Sequence, residues 1–311
     1  YLFIYCYNLD IAYIIVEIFM KYKEYFMTRK DNVDIKILSD KKVKKIPKNI
    51  QNIRKKICNE LNDGVGYFII KNFGLKNINL KKTYKYYANF MSMLGNLQKQ
   101  NKLGKKIVKI QDGGKKWSAN IRGYKTSDKI SFHTDGGDVA AMLCISQSSN
   151  GGESLITPAN KIYQKIKKLN PAYLKILKKG FHYHNRGEVL HSKSLITKKR
   201  YPVFFSKKGK IHCMFNKNPI LWAAKHSNKK INKEALKAIN LVEKISNEKK
   251  NITKYKLTRG DLLLVNNHKV LHGRNKFKDP NQKQRLILRA WITLKSSKYS
   301  GPTLLNAYND S

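Results

Sequence analysis

Apolar positions recur along the chain with two different periods, and the change of period organises it. From Pro47 onward, Ile50, Ile53, Ile57 and Leu61 follow one another at steps of three and four, the spacing of one helix face, and Gly64 or Gly66 ends the run. GYFIIKNF (66–73) predicts a buried strand, and Tyr84, Tyr87, Phe90 and Leu94 predict a second amphipathic helix. From about residue 117 the pattern shortens to that of strands: KISFHTD, VAAMLCIS and GESLIT. Two helices are expected at 159–168 and 171–179, the second opened by Pro171, which suits a first helical turn. YPVFFSKKGKIHCMF (201–215) reads as a hairpin turning at Lys208-Gly209, and NKEALKAINLVEKIS (232–246) as a surface helix. The pattern then returns to strands in DLLLVNNHKVLHGR (261–274) and RLILRAWITL (285–294).

Strands that resume after a helical stretch, without regular βαβ alternation, point away from a doubly wound sheet. They predict a mainly β protein with flanking helices (α+β), built as a β-barrel or jelly roll. The expected organisation is an N-terminal extension over 1–43, one domain over 44–296 with a helical insertion at about 159–250, and a C-terminal tail over 297–311.

Composition narrows the class. With 311 residues and 41% apolar content, the chain can bury a real core, which excludes a disordered basic tail. The net charge of +44 invites a nucleic-acid reading. Only nine of the 64 basic residues are Arg, however, and the guanidinium fork is what phosphate and base readers usually exploit. A solvated Lys-rich surface without a specific nucleic-acid partner is therefore expected. Four widely spaced cysteines (Cys6, Cys58, Cys144, Cys213) form no zinc pattern or disulfide framework and suit a reducing cytoplasm. Residues 1–20 are apolar but interrupted by Asp10 and Glu17 and lack a basic start, so neither a membrane span nor a signal peptide is expected there. An extra helix, or upstream sequence read into the frame before Met20 or Met27, fits that segment better.

Candidate chemistry begins at ISFHTDGG. His133 and Asp135 stand two apart on a strand, so both side chains share one face. A hydrogen-bonded surface pair would give the same pattern. NNHKVLHGR offers a third ligand, His272, and two His with one carboxylate form the facial triad of non-haem Fe(II) oxygenases. Period two then places Arg285, Ile287, Arg289 and Trp291 on one strand face and Leu286, Leu288, Ala290 and Ile292 on the other. Two inward arginines are costly without anionic partners. A dicarboxylate cosubstrate supplies one.

Three blocks together carry a family resemblance: RGYKTSDKISFHTDGGDVAAMLC (122–144), the GGES turn (151–154) and GDLLLVNNHKVLHGRNKFKDP with RLILRAW (260–291). Over roughly 44–294 the chain resembles the taurine dioxygenase-like (TauD/TfdA) Fe(II)/2-oxoglutarate-dependent oxygenases. The resemblance implies a double-stranded β-helix of the cupin-like jelly-roll type. It also implies that His133, Asp135 and His272 bind Fe(II), and that Arg285 with Ser154 grips the C5 carboxylate of 2-oxoglutarate, with O2 as second cosubstrate. The interval from Asp135 to Ser154 is shorter than in the taurine branch, which makes Thr157 a competitor for Ser154. His268 is expected to be a neighbouring polar wall.

The implied activity is hydroxylation, or oxidative dealkylation, of a small anionic or amino-acid-like metabolite, with release of succinate and CO2. Asp135 argues against halogenation, because related halogenases lack that carboxylate. Arg289 is expected either to bind a substrate anion or to brace Arg285. Arg122 and Tyr124 are candidate substrate residues, and Tyr183, His184 and Arg186 are candidates for the pocket wall or a lid. The same chemistry on nucleic acid, and a catalytically silent binding protein, stay open as alternatives, as does a homo-oligomer.

Overall fold

The computed structural model describes residues 48–75, 78–114, 122–187, 194–207, 209–279, 284–295 and 301–311. The extension over 1–43 and Cys6 lie outside the described residues. Two antiparallel sheets face one another. The larger runs β1 (Tyr67–Ile70), β11 (Leu262–Asn266), β5 (Val139–Ser146), β14 (Leu286–Leu294), and the far edge of β14 is shared by β2 (Gly95–Leu97) and β3 (Ile107–Ile110). The smaller sheet runs β10 (Thr253–Tyr255), β7 (Ser154–Pro158), β12 (Val270–Arg274), β4 (Ile130–His133). This is the jelly-roll architecture that the strand pattern predicts. No helix among the described residues is long and apolar enough to cross a membrane.

Alternation along the strands sorts side chains into three cores. Between the sheets lie Ala140, Cys144, Ile156, Val270, Ile287 and Trp291. On the outer face of the larger sheet, Leu143, Leu264, Leu288, Ala290 and Ile292 pack against two helices, α1 (Lys48–Asn62) and α2 (Leu80–Leu94). The residues that make α1 amphipathic, Ile53, Ile57 and Leu61, are the ones it buries. Asn79 caps α2 by accepting from the Lys82 N–H at 2.9 Å. Its aromatic face seals against the sheet, where the Tyr87 hydroxyl donates to the Ala141 carbonyl at 2.9 Å.

Over the smaller sheet, Phe132, Leu155 and Leu271 pack against α3 (Ala159–Leu169), α4 (Pro171–Lys179) and α6 (Lys233–Ser246). The hairpin of β8 (Phe204–Lys207) and β9 (Lys210–Cys213) joins the same core, and α5 (Lys217–Lys225) follows it. The short strands β6 (Asn150–Gly151) and β13 (Phe277–Lys278) pair beside the barrel. The segment expected to be a tail instead carries α7 (Leu304–Asn309), whose Leu304, Ala307 and Tyr308 are buried in this second core. A capping box between Thr303 and Asn306 starts that helix. DLLLVNNHKVLHGR, read as one strand region, is two strands joined by a turn, β11 in the larger sheet and β12 in the smaller.

Candidate active site

Strands β4 and β12 are neighbours, and His133 pairs directly with His272 across the ladder. Their rings therefore meet inside the barrel, with centroids 4.5 Å apart. Asp135 follows two residues after His133. Its oxygens lie 3.8 Å from His133 Nε2 and 3.4 Å from His272 Nε2, and the three ligand atoms fall within 4.8 Å of one another.

The backbone between these ligands is clamped on both sides. The Asp135 N–H donates to Asn267 Oδ1 at 2.9 Å, and the Asn267 amide donates to the Gly137 carbonyl at 2.8 Å. Thr134 exchanges hydrogen bonds with Phe215 on the other side. Gly136 has a steric role: a Cβ there would lie 2.7 Å from Trp291 Cε3, so only glycine lets the indole pack beneath Asp135.

Electrostatics prepare the donors. Burial, reinforced by the nearby His272 ring, pushes His133 down to about 4, so its imidazole is neutral at physiological pH. His133 Nδ1 sits 2.9 Å from the Ser131 carbonyl, which favours the proton on Nδ1 and leaves the Nε2 lone pair facing Asp135. Burial alone would raise the Asp135 carboxyl, but Arg289 and the two imidazoles hold it well below the usual carboxylate range. Arg289 Nη1 lies 3.1 and 3.3 Å from the two Asp135 oxygens, and Arg289 Nε donates to Gln100 Oε1 at 2.9 Å. Arg289 thus has a partner, Asp135, that sequence reasoning missed.

Arg285 lies just ahead of β14, almost fully buried. Its Nε donates to Gln147 Oε1 at 2.9 Å, its guanidinium lies 5.2 Å from the Phe277 ring centroid, and its Nη1 is buried without a hydrogen-bond partner. Burial pushes it down to about 10, which still leaves it charged at neutral pH. Gly152, at φ +76°, packs closely on it, since a Cβ there would lie 3.1 Å from Arg285 Nε.

Ser154 shares the inward face of β7 with Ile156 and pairs with Arg274 across the ladder. Thr157 falls on the opposite face, fully buried, and its hydroxyl has no hydrogen-bond partner. His268 is not part of the ligand group. It lies in the turn between β11 and β12, with Nε2 3.0 Å from Asp138 Oδ1.

A cavity of about 210 Å³ opens beside His133 and Asp135, and Arg122, Tyr124, Arg186 and Arg289 line it. Trp222 on α5 and Tyr308 on α7 complete the wall, and neither carried a signal in the sequence. Of the other insertion residues, Tyr183 is fully buried with its hydroxyl donating to Met214 O at 3.0 Å, and His184 meets the His226 ring edge-on at 5.5 Å and is not among the residues lining the cavity.

Two imidazoles and one carboxylate converging inside a jelly roll are a donor set that could hold a divalent metal ion. The family model for taurine catabolism dioxygenase TauD, TfdA family, matches residues 43–291, and the chain belongs to this family of oxidoreductases. FR-33289 synthase from Streptomyces rubellomurinus (strain ATCC 31215) is 26% identical over 257 residues, covering 80% of this chain and 75% of its own length. The fold is shared with asparagine oxygenase, solved with Fe(II), 2S,3S-3-hydroxyasparagine and succinate. That structure has a TM-score of 0.63 and 14% identity, with 92% of each chain covered. The non-haem iron oxygenase OrfP, solved with Fe and alpha-ketoglutaric acid, gives a TM-score of 0.61 at 11% identity, again with 92% of each chain covered.

Proposed function

We propose that this chain is an Fe(II)- and 2-oxoglutarate-dependent oxygenase that hydroxylates a small, anionic or amino-acid-like metabolite. The observation that carries the reading is the closure of His133, Asp135 and His272 into one group of donors within 4.8 Å. Neutral imidazoles and an ionised carboxylate are the protonation states that such an ion requires. The 2-oxoglutarate half of the reading has its own test of fit. The buried Arg285 Nη1 has no hydrogen-bond partner, and a carboxylate docked against it would supply one.

When bound, Fe(II) with 2-oxoglutarate and O2 supplies the oxidising chemistry, with succinate and CO2 as the cosubstrate's products. The chain's own residues do the rest. His133, Asp135 and His272 would hold the metal; Arg289 and Gln100 hold Asp135; Arg285, held by Gln147, would anchor the C5 carboxylate together with Ser154. Asp135 would supply a metal-binding carboxylate that related halogenases lack, which favours hydroxylation. Hydroxylation next to a heteroatom would end in dealkylation. The cavity beside His133 brings the substrate to the metal and keeps bulk water away from it.

Support for the substrate class comes from Arg122, Arg186 and Arg289 around that cavity and from the hydroxylated amino acids bound by the structural neighbours. The test is succinate formation from 2-oxoglutarate with amino acids, betaines, sulfonates and phosphonates, beside single- and double-stranded oligonucleotides. Turnover that rises with a small anion supports the reading. Turnover that rises only with an oligonucleotide, through binding that resists moderate salt, replaces it with the nucleic-acid alternative.

A further inference from the structure

We infer that Tyr308 is a specificity-determining residue: its ring, carried on α7 and tied through that helix to the metal-ligand turn, sets the length of substrate that the catalytic cavity accepts. The inference rests on the oxygenase reading above and adds to it the side chain that bounds the substrate.

Helix α7 belongs to neither sheet and follows β14, yet it is fastened to the site at both ends. Near its start the Leu305 N–H donates to the Gly136 carbonyl at 3.2 Å, one residue beyond Asp135. Just past its other end the Asp310 carbonyl accepts from the Lys198 N–H at 3.3 Å, and Asp310 Oδ2 accepts from the Lys199 N–H at 3.4 Å. Asn185 Nδ2 donates to Ser311 Oγ at 2.6 Å. Both attachments lie at the cavity, since Asp135 and Gly136 line it beside the first, and Arg186, the neighbour of Asn185, beside the second. The helix therefore spans from the metal-ligand turn to the loop that carries Arg186.

Leu304 and Tyr308 stand four apart, so they share one face of α7, and both line the cavity. Ala307 packs with them into the core over the smaller sheet. Burial pushes the Tyr308 phenol up against the opposing pull of Arg122 and Arg186, so the hydroxyl is protonated at neutral pH and the ring bounds the cavity by its bulk. The cavity, at about 210 Å³, is smaller than the roughly 300–1,000 Å³ of ordinary ligand pockets, so the size of a wall residue decides what fits. A longer substrate cannot simply push the ring aside. Swinging α7 away would break the hydrogen bonds to Gly136 and Asp310 and expose Leu304, Ala307 and Tyr308 to water. Because Tyr308 stands outside the strands that carry His133 and His272, changing it resizes the cavity without moving those ligands.

The experiment loads the wild type, Tyr308→Phe and Tyr308→Ala anaerobically with Fe(II) and 2-oxoglutarate. Each is titrated calorimetrically with unbranched L-amino acids of increasing side-chain length, from L-alanine to L-2-aminooctanoate. One methylene gained or lost in an apolar pocket is worth about 10- to 200-fold. The expected result is that Tyr308→Ala binds at least one longer member of the series at least about tenfold tighter than the wild type does, whereas Tyr308→Phe keeps the wild-type length limit. Where Tyr308→Ala fails to fold, Tyr308→Leu keeps apolar packing in the core and should move the limit in the same direction. The same limit in the wild type and the shortened variant would overturn the inference, and so would a limit moved equally by Tyr308→Phe or a failure of every member to bind. Iron content and 2-oxoglutarate affinity of the wild-type sample report on the oxygenase reading. Normal values with an unmoved limit defeat the inference alone, whereas loss of both defeats the reading it rests on.

Discussion

One nitrogen of Arg289, Nη1, reaches both carboxylate oxygens of Asp135, at 3.1 and 3.3 Å, while Gln100 fixes the same guanidinium from behind. The carboxylate is thereby kept ionised and aimed without a contact to either histidine being lost. Groups that orient a metal ligand typically cost about 10- to 100-fold in metal affinity when removed. Arg289→Gln should therefore lower Fe(II) affinity by about that much, and Arg289→Lys should recover part of it. Anaerobic titration checks this, and equal affinities would mean that Asp135 needs no such support.

Acid should destabilise the metal-free protein through His133. An unfolded chain protonates this imidazole near 6.5, whereas burial delays protonation in the folded state to about 4. Between those values the unfolded state binds more protons, so stability falls as pH drops through the window, by up to about 3 kcal/mol from this group. His212, pushed down to about 4 by burial and by His268, acts in the same window. Melting curves at several pH values should show a shallower slope for His133→Gln than for the wild type. Identical slopes would contradict the account.

Gly136 is needed for its lack of a side chain. A methyl group there meets the Trp291 ring, so the indole, packed between the sheets, would have to shift. Gly136→Ala should cost about 1–3 kcal/mol by overpacking and should displace Asp135, lowering iron content as well. Denaturant unfolding and metal analysis on the same sample test both effects.

Sheet alternation separates the two hydroxyls that compete for 2-oxoglutarate. Ser154 lies on the inward face, and Thr157 on the face that packs against the helices. Arg285→Ala should weaken 2-oxoglutarate binding by about 2–5 kcal/mol while iron stays in place. Ser154→Ala should weaken it by about 1 kcal/mol. Thr157→Val should leave binding unchanged and stabilise the fold by roughly 1 kcal/mol, because it removes a buried hydroxyl that has no partner. Calorimetric titration and thermal melting separate these outcomes.

What was legible in the sequence was local. Period two in RLILRAWITL sorts Ile287 and Trp291 inward and Leu288, Ala290 and Ile292 outward, as the two cores show. Ile53, Ile57 and Leu61 likewise mark the buried face of α1. The triad was legible only through distant blocks taken together, because nothing local tells His272 that its strand lies beside β4. The short strands β2 and β3 gave no signal, since three or four residues hold no period. Helix α5 was hidden by Pro219 and by its mixed composition, and α7 was read as part of a tail. The cavity wall was the least legible part: Arg122, Arg186, Trp222 and Tyr308 meet only through long-range packing. The pairing of Arg289 with Asp135 was missed for the same reason, as it joins residues 154 apart in sequence.

The central claim is that His133, Asp135 and His272 form one iron site, and anaerobic titration of the purified protein with Fe(II) tests it most directly. The account predicts one ion bound per chain in the wild type and binding lost or greatly weakened in His133→Ala, Asp135→Ala and His272→Ala. Undiminished iron in both His133→Ala and His272→Ala would contradict it.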